Sequence, residues 1–410
     1  MPLREDANRI VEHALSAVKP DAAVSRALRQ LAAPRGRLLL VAAGKAAWQM
    51  AYAAKQTLGE RISEGVVITK YGHVKGDIAG MRCFEAGHPV VDENSVLATQ
   101  YALEMTKQLT ADDTVLFLLS GGGSALFELP LIPLQELADI NTQLLRSGAD
   151  ITAINTVRKR LSAVKAGRFA QHCAPAQVFS VVLSDVIGDP LDVIASGPAY
   201  PDSSTAQQAL AVVQRYELRL SDSAHSCLTK ETPKQLSNVQ THITGSVREL
   251  CAAAAAKCSE LGYEPILLSD SLTCTAREAA QKLCSTALQY AGQGKAVAVI
   301  AGGETVVQVQ GNGLGGRNQE LALWAAKYIA GKEDIAVFSV GSDGTDGPTD
   351  AAGGYADGTT VLRLAQLGAD IDAMLADNDS YHALQRTDGL IFTGPTGTNV
   401  NDFAVALVRS

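Results

Sequence analysis

Five short apolar runs, each of strand length and each stopped by a glycine-bearing polar turn, constrain this chain more than any other feature. They are Arg37-Leu-Leu-Leu-Val-Ala-Ala43 before Gly44, Thr114-Val-Leu-Phe-Leu-Leu119 before Ser120-Gly-Gly-Gly-Ser124, and Val178-Phe-Ser-Val-Val-Leu183 before Ser184-Asp185-Val-Ile-Gly188-Asp189. Ala296-Val-Ala-Val-Ile300 precedes Gly302-Gly303-Glu304-Thr305, and Ile335-Ala-Val-Phe-Ser-Val340 precedes Gly341-Ser-Asp343-Gly-Thr-Asp346. A strand apolar at successive positions is buried on both faces, which is the habit of parallel sheets covered by helices. Helical patterns alternate with the runs: from Ile10 to Leu31 broken at Pro20, from Ser95 to Leu109, from Val247 to Leu261 and from Thr275 to Tyr290. The expected class is therefore α/β. The unit Leu38 to Lys55 resembles half of a doubly wound nucleotide fold, whose ligands gather at the carboxyl ends of strands.

A chain of 410 residues exceeds one ordinary core and suggests two domains. The polar, mixed stretch from Asp202 to Leu236 sets the expected boundary, giving domains 1–236 and 237–410. A net charge of −8 with no basic stripe argues against nucleic acid or an anionic membrane as partner. Small anions met by a few local cations remain open. The charged start Met1-Pro-Leu-Arg-Glu-Asp lacks the apolar core of a signal peptide, and no apolar stretch approaches the ~20 residues of a membrane span. Seven scattered cysteines without a C-x-x-C pair point away from disulfides and structural zinc, toward a reducing cytoplasm.

The turns carry the chemistry. Gly44-Lys45 puts a lysine at a helix start, where the dipole disfavours it unless an anion offsets the charge. It is neither a Walker A loop nor a G-x-G-x-x-G fingerprint. Three glycines in Ser120-Gly121-Gly122-Gly123-Ser124 cost entropy and are expected to cradle a phosphate or carboxylate. His88, before Pro89, is a turn histidine or a ligand contact. Arg158 belongs to a dense basic segment, Asn155-Thr-Val-Arg158-Lys159-Arg160 to Arg168, which reads as a solvated helix flank from which one or two cations reach an anion. Asp185 and Asp189 suit a metal site or a general base.

Val306-Val-Gln-Val-Gln310 alternates, so Ala296 to Gln310 reads as a hairpin, followed by Gly311-Asn-Gly-Leu-Gly315-Gly316. Arg317, Asn318 and Gln319 then open a helix whose free N–H groups favour an anion, with Arg317 as a bidentate donor. Lys45, Arg317 and the surrounding carboxylates form the parts list of metal-assisted phosphoryl transfer. No nucleophile elbow is present.

Taken together, Ala43-Gly44-Lys45-Ala46, Gly87-His88-Pro89, Ser120 to Ser124, Asn155 to Lys159, Ser184 to Asp189, Gly303 to Glu320 and Ser342 to Gly347 resemble the class II glycerate 2-kinase family. Its C-terminal half is called the MOFRL domain, and some members were named hydroxypyruvate reductase. The resemblance spans nearly the whole chain. It departs at Lys165-Ala166-Gly167, where the family commonly has Lys-Gly-Gly, and at Gly197-Pro198-Ala199, where Gly-Pro-Thr is usual.

The resemblance implies a Rossmann-like doubly wound domain, a MOFRL-type α/β domain, and an active site in the cleft between them. There ATP and Mg²⁺ would phosphorylate D-glycerate at its 2-hydroxyl. It implies Lys45 and Arg317 as catalytic cations, with Asp189 or Asp185 orienting or deprotonating the hydroxyl. Ser120, Gly121, Gly122, Gly123, Ser124, His88, Arg158 and Asn318 would bind substrate or phosphate, and Gly303, Glu304, Thr305, Gly315 and Gly316 the nucleotide. Glu304, Asp343 and Asp346 would hold Mg²⁺. A monomer or homodimer is expected. The rival, an NAD(P)H-dependent hydroxypyruvate or tartronate-semialdehyde reductase, would need a dinucleotide fingerprint that no glycine cluster here has.

Overall fold

The computed structural model describes residues 3–184 and 191–409. The chain is mixed α/β with two six-stranded sheets, and its contacts divide it into two compact units. One unit holds residues 23–184 and 191–244, the other 3–22 and 245–409.

The first unit contains β1 (Leu38–Ala43), β2 (Ile62–Lys70), β3 (Met81–Ala86), β4 (Thr114–Leu119), β5 (Gln177–Leu183) and β6 (Val239–Thr244). They pair in the order β3-β2-β1-β4-β5-β6, parallel throughout. Because the side-chain period is two, alternate residues serve opposite faces. Leu38, Leu40, Ala42, Leu116, Leu118 and Phe179 pack with the helix Ala47–Leu58. Phe117 turns the other way, into a ring cluster with Phe127 and Phe169. The strand order reverses between β1 and β4, and such a reversal leaves a crevice at the carboxyl ends of the two strands.

The second unit is built on β7 (Glu264–Leu272), β8 (Val297–Gly303), β9 (Ile335–Gly341), β10 (Gly353–Asp357), β11 (Leu390–Ile391) and β12 (Asp402–Val408), in the order β11-β10-β9-β12-β8-β7. β12 lies between β8 and β9 and runs antiparallel to both. Its first residue, Asp402, is thus in register with Gly303 and Gly341, the last residues of its two neighbours.

Three features differ from the expectation at sequence level. The segment Val306 to Gln310 does not return as a hairpin: β8 pairs with β7 and β12, and Val306 makes only an isolated bridge to Thr275. The helix Leu3–Ala17 belongs with the second unit, where Ile10 and Val11 pack with Phe338 and Phe403. Asp6 there accepts from Tyr263 Oη at 2.7 Å and pairs with Arg409 at 3.0 Å. β6 completes the first sheet, so the division falls between Thr244 and Gly245 rather than at 236/237.

Among the described residues no helix is long and apolar enough to cross a membrane. All seven cysteines are free thiols.

Candidate active site

In the first unit Lys45, His88 and the loop Ser120 to Ser124 come together at the carboxyl ends of β1, β3 and β4. Gly44 has φ +126°, and a Cβ there would lie 2.2 Å from Ser120 Oγ, so only glycine lets the β1 and β4 turns meet. The Lys45 amide donates to the Gly121 carbonyl at 2.9 Å, and the Ala46 amide to Ser120 Oγ at 3.1 Å. The Lys45 carbonyl accepts from Thr69 Oγ1 at 3.3 Å and from His73 Nδ1 at 3.0 Å, so that imidazole nitrogen carries a proton.

Held by its backbone in this way, Lys45 leaves its side chain exposed, with no carboxylate partner among the described residues. A Cβ on Gly122 (φ +86°) would lie 3.0 Å from the His88 ring and 3.1 Å from Lys45 Cγ. Lysine, imidazole and triglycine loop therefore form one surface at the β1/β4 reversal. Burial, then the charges of Lys45 and Lys70, lowers the His88 pKa, so the ring is neutral at physiological pH and can donate without adding charge.

Ser124 continues the surface. Its Oγ is 3.1 Å from Ser196 Oγ, which donates to Asn155 Oδ1 at 3.3 Å. Ala195, Ser196 and Gly197 have φ of 50°, 60° and 64°, a left-handed run that is costly for its two non-glycine members. Arg158 follows Asn155 by three positions on the helix Ile151–Arg160, so the two share a face. Its Nε has no hydrogen-bond partner among the described residues, and burial lowers its pKa.

The basic segment around it is not solvated. Lys159, Arg160 and Lys165 are buried. Asp202 pairs with Lys159 at 3.1 Å and with Arg160 at 3.5 Å, while Glu231 meets Arg160 and Glu128 meets Lys165. Carboxylates distant in sequence thus consume those three cations. Arg158 is left over.

In the second unit, Arg317 begins the helix Arg317–Tyr328. Its Nε donates to Asp402 Oδ2 at 2.5 Å and its Nη2 to Asp402 Oδ1 at 3.0 Å, while Nη1 pairs with Glu304 Oε1 at 2.9 Å. Burial pushes Asp402 up, to about 6, against the pull of Arg317, so the carboxylate is charged near neutral pH. Burial alone would lower the Arg317 pKa, but Asp402 outweighs it and holds the guanidinium protonated.

The anion expected at this helix start is the protein's own. Asp346 Oδ1 accepts from the Asn318 amide and Nδ2, and Oδ2 from the Gln319 amide at 2.8 Å. Asn318 is buried, its Oδ1 accepting from Ser339. The glycines before the helix are explained the same way. A Cβ on Gly315 would meet Ser380 Oγ at 2.1 Å, and one on Gly316 would meet Asp346 Cγ at 2.3 Å. Asp377 and Asp379 take the Asn312 and Leu314 amides. Gly303, at φ +144°, is pressed against Leu272.

The three expected metal ligands differ in what they have left to give. Both Asp346 oxygens are engaged and the residue is buried. Glu304 is half-exposed beside Arg317, and Asp343 uses Oδ1 on the Thr345 amide. No group of three or more His, Cys, Asp or Glu among the described residues could hold a metal by itself. A Mg²⁺ that arrives with phosphates needs only one or two carboxylates, which Asp343 and Glu304 can supply. Asp185 and Asp189 lie outside the described residues. Asp402 was not singled out from sequence; a carboxylate opening an otherwise apolar strand was its one signal.

Two family models match the chain: a domain of unknown function, DUF4147, over residues 6–229, and the MOFRL family over residues 297–402. The D-glycerate 2-kinase of Thermotoga maritima is 51% identical, covering 99% of this chain and 98% of that protein. The glycerate 2-kinase of Pyrococcus horikoshii is 38% identical, covering 100% and 98%. The crystal structure of the Thermotoga maritima glycerate kinase superposes with a TM-score of 0.94 over 99% of each chain. On these matches, which run through both units, the chain belongs to the class II glycerate kinase family.

Proposed function

We propose that this protein is an ATP-dependent glycerate 2-kinase, moving the γ-phosphoryl group of ATP to the 2-hydroxyl of D-glycerate to give 2-phosphoglycerate and ADP. The observation that carries the reading is Lys45, an exposed lysine without a described partner, set against a triglycine loop where the parallel sheet reverses its order. A cation and a close-approach backbone at such a point suit a transferring phosphoryl group, for which positioning and charge neutralisation supply most of the catalysis.

The proposal extends to a Rossmann-like, doubly wound first domain and a MOFRL-type second domain. Lys45 neutralises the phosphoryl oxygens, and the loop Ser120 to Ser124 with neutral His88 donates hydrogen bonds to them. Arg158, whose Nε has no partner among the described residues, binds the glycerate carboxylate. Arg317 stabilises charge on the phosphoryl group as it moves. Asp189 or Asp185 orients the 2-hydroxyl and accepts its proton. Gly303, Glu304 and Thr305, with Gly315 and Gly316, border the nucleotide. Asp343 and Glu304 are the residues that would hold Mg²⁺, whose charge offsets that of the β- and γ-phosphates. Seven free thiols favour a cytoplasmic setting.

The test is a paired assay: ADP release with glycerate and ATP, and NADH or NADPH oxidation with hydroxypyruvate. The kinase reading expects the first and no protein-dependent signal in the second. The reverse pattern would establish the reductase. Binding of glycerate with neither signal would indicate a sensor.

A further inference from the structure

Arg317 is gripped by two carboxylates of different character. Glu304 is half-exposed, on the turn that leaves β8, and pairs through a single contact at Nη1. Asp402 is 7% exposed, takes Nε and Nη2 together, and opens β12 in register with Gly303 on one side and Gly341 on the other. Two ladders therefore fix its backbone, and Gly341 lies against its carboxylate. A Cβ on Gly341 would already lie 3.4 Å from Asp402 Oδ1.

A guanidinium has five N–H donors in a rigid plane. Asp402 and Glu304 use three of them, and one hydrogen on each terminal nitrogen remains. The side-on grip through Nε and Nη2 sets the plane of the fork, so the remaining donors point in a fixed direction rather than sweeping with the arginine's flexible stem.

We propose that Asp402 is a positioning residue for phosphoryl transfer, acting through Arg317: it orients the guanidinium so that the free Nη1 and Nη2 donors meet the oxygens of the moving phosphoryl group. Glu304, half-exposed, holds Arg317 by one contact and otherwise accepts only a long bond from Asn401 Nδ2 at 3.4 Å among the described residues, so it is the partner that can be exchanged for substrate; Asp402 is the one that stays. This rests on the reading of Arg317 given under Proposed function.

The experiment is a double-mutant cycle on steady-state kinetics with Asp402→Asn, Arg317→Ala and the double variant, each first checked for a native circular dichroism spectrum. The expected result is a fall in kcat of about 10–100-fold for Asp402→Asn, with KM for ATP and glycerate moving far less, as when a group holding a functional ligand is removed. In the Arg317→Ala background the same change should cost nothing further, because the group it orients is gone. A merely structural aspartate would cost the same factor in both backgrounds, and that result overturns the inference. Unchanged kcat in Asp402→Asn overturns it as well. If Asp402→Asn does not fold, Asp402→Glu carries the test: it keeps the charge, moves the fork by one methylene, and must lower kcat at least about tenfold. An Arg317→Ala enzyme retaining more than about a tenth of kcat would instead refute the catalytic role of Arg317, and this inference with it.

Discussion

Lys45 and Ala166 show how differently two residues can be explained by their surroundings. Lys45 has an anchored backbone and an ammonium without a partner among the described residues, the arrangement of a side chain kept ready for a ligand. Lys45→Ala should lower kcat by roughly 10³–10⁵, the scale of losing a cation that stabilises a phosphoryl transition state, with the thermal melting curve barely moved. Retention of more than a tenth of kcat would remove it from the mechanism. Ala166 is buried at φ 56°, in the left-handed region where the family commonly has glycine. Alanine there is strained by about 1 kcal/mol, so Ala166→Gly should raise stability by roughly 0.5–1 kcal/mol in a urea melt. A loss of stability would mean that glycine's greater freedom in the unfolded chain outweighs the strain.

At this scale the sequence located Lys45 and the triglycine loop, because each sits directly after an apolar strand; His88 follows the mixed, half-exposed strand Met81–Ala86, which carried no such signal. Asp402 was hidden: it meets Arg317 across 85 positions, and its one local mark is that it opens an apolar strand. Arg158 and its basic neighbours looked alike in sequence. Which of them found a carboxylate partner depended on Asp202, Glu231 and Glu128, contributed from elsewhere in the chain.

The elements are held by buried charge as much as by apolar packing. Asp113, at the entry to β4, takes the Arg37 guanidinium at 3.1 Å, the Arg37 amide at 2.8 Å and the Thr110 amide at 2.8 Å. The Arg37 side chain, then the Thr110 and Arg37 amides, overcome burial and hold its carboxyl well below the ordinary range. A carboxyl depressed in the fold contributes stability above its unfolded pKa of about 4, and that contribution is lost as the pH falls through lower values. Asp113→Asn should therefore cost about 1–3 kcal/mol at pH 7. The gap from wild type should close as melts are repeated from about pH 5 down to 3. A gap that widened on acidification would reverse the sign and contradict the account.

Asp202 is the larger case, since its removal leaves Arg160 buried with a poorer partner. Asp202→Ala should cost about 3–5 kcal/mol, measured by chemical denaturation. Element limits were read well wherever an apolar run ended in glycine or began at a cap. Thr114–Leu119 was expected as it stands, and the helix expected from Ser95 to Leu109 runs from Glu93 to Met105, capped by Asp92. The hairpin after β8 failed for a physical reason. Period-two alternation in Val306 to Gln310 says only that one side is covered, and the true partner of β8 lies about a hundred residues later, in β12.

At the scale of the molecule, the N-terminal helix is the clearest surprise, because sequence adjacency suggested the first unit and packing assigns it to the second. Ile10 is fully buried in the second unit's core. Ile10→Ala should cost about 2–5 kcal/mol and lower hydrogen-exchange protection in β9 and β12, leaving β1 and β4 unchanged. Equal loss in both sheets would mean that the two units unfold as one.

The account as a whole claims that this chain transfers a phosphoryl group from ATP to one defined hydroxyl of glycerate. The most direct measurement is phosphorus NMR of the product formed from ATP and D-glycerate. The account predicts a single new monoester, 2-phosphoglycerate, appearing in step with ADP. Accumulation of 3-phosphoglycerate, or ATP turnover with no glycerate ester at all, would contradict it.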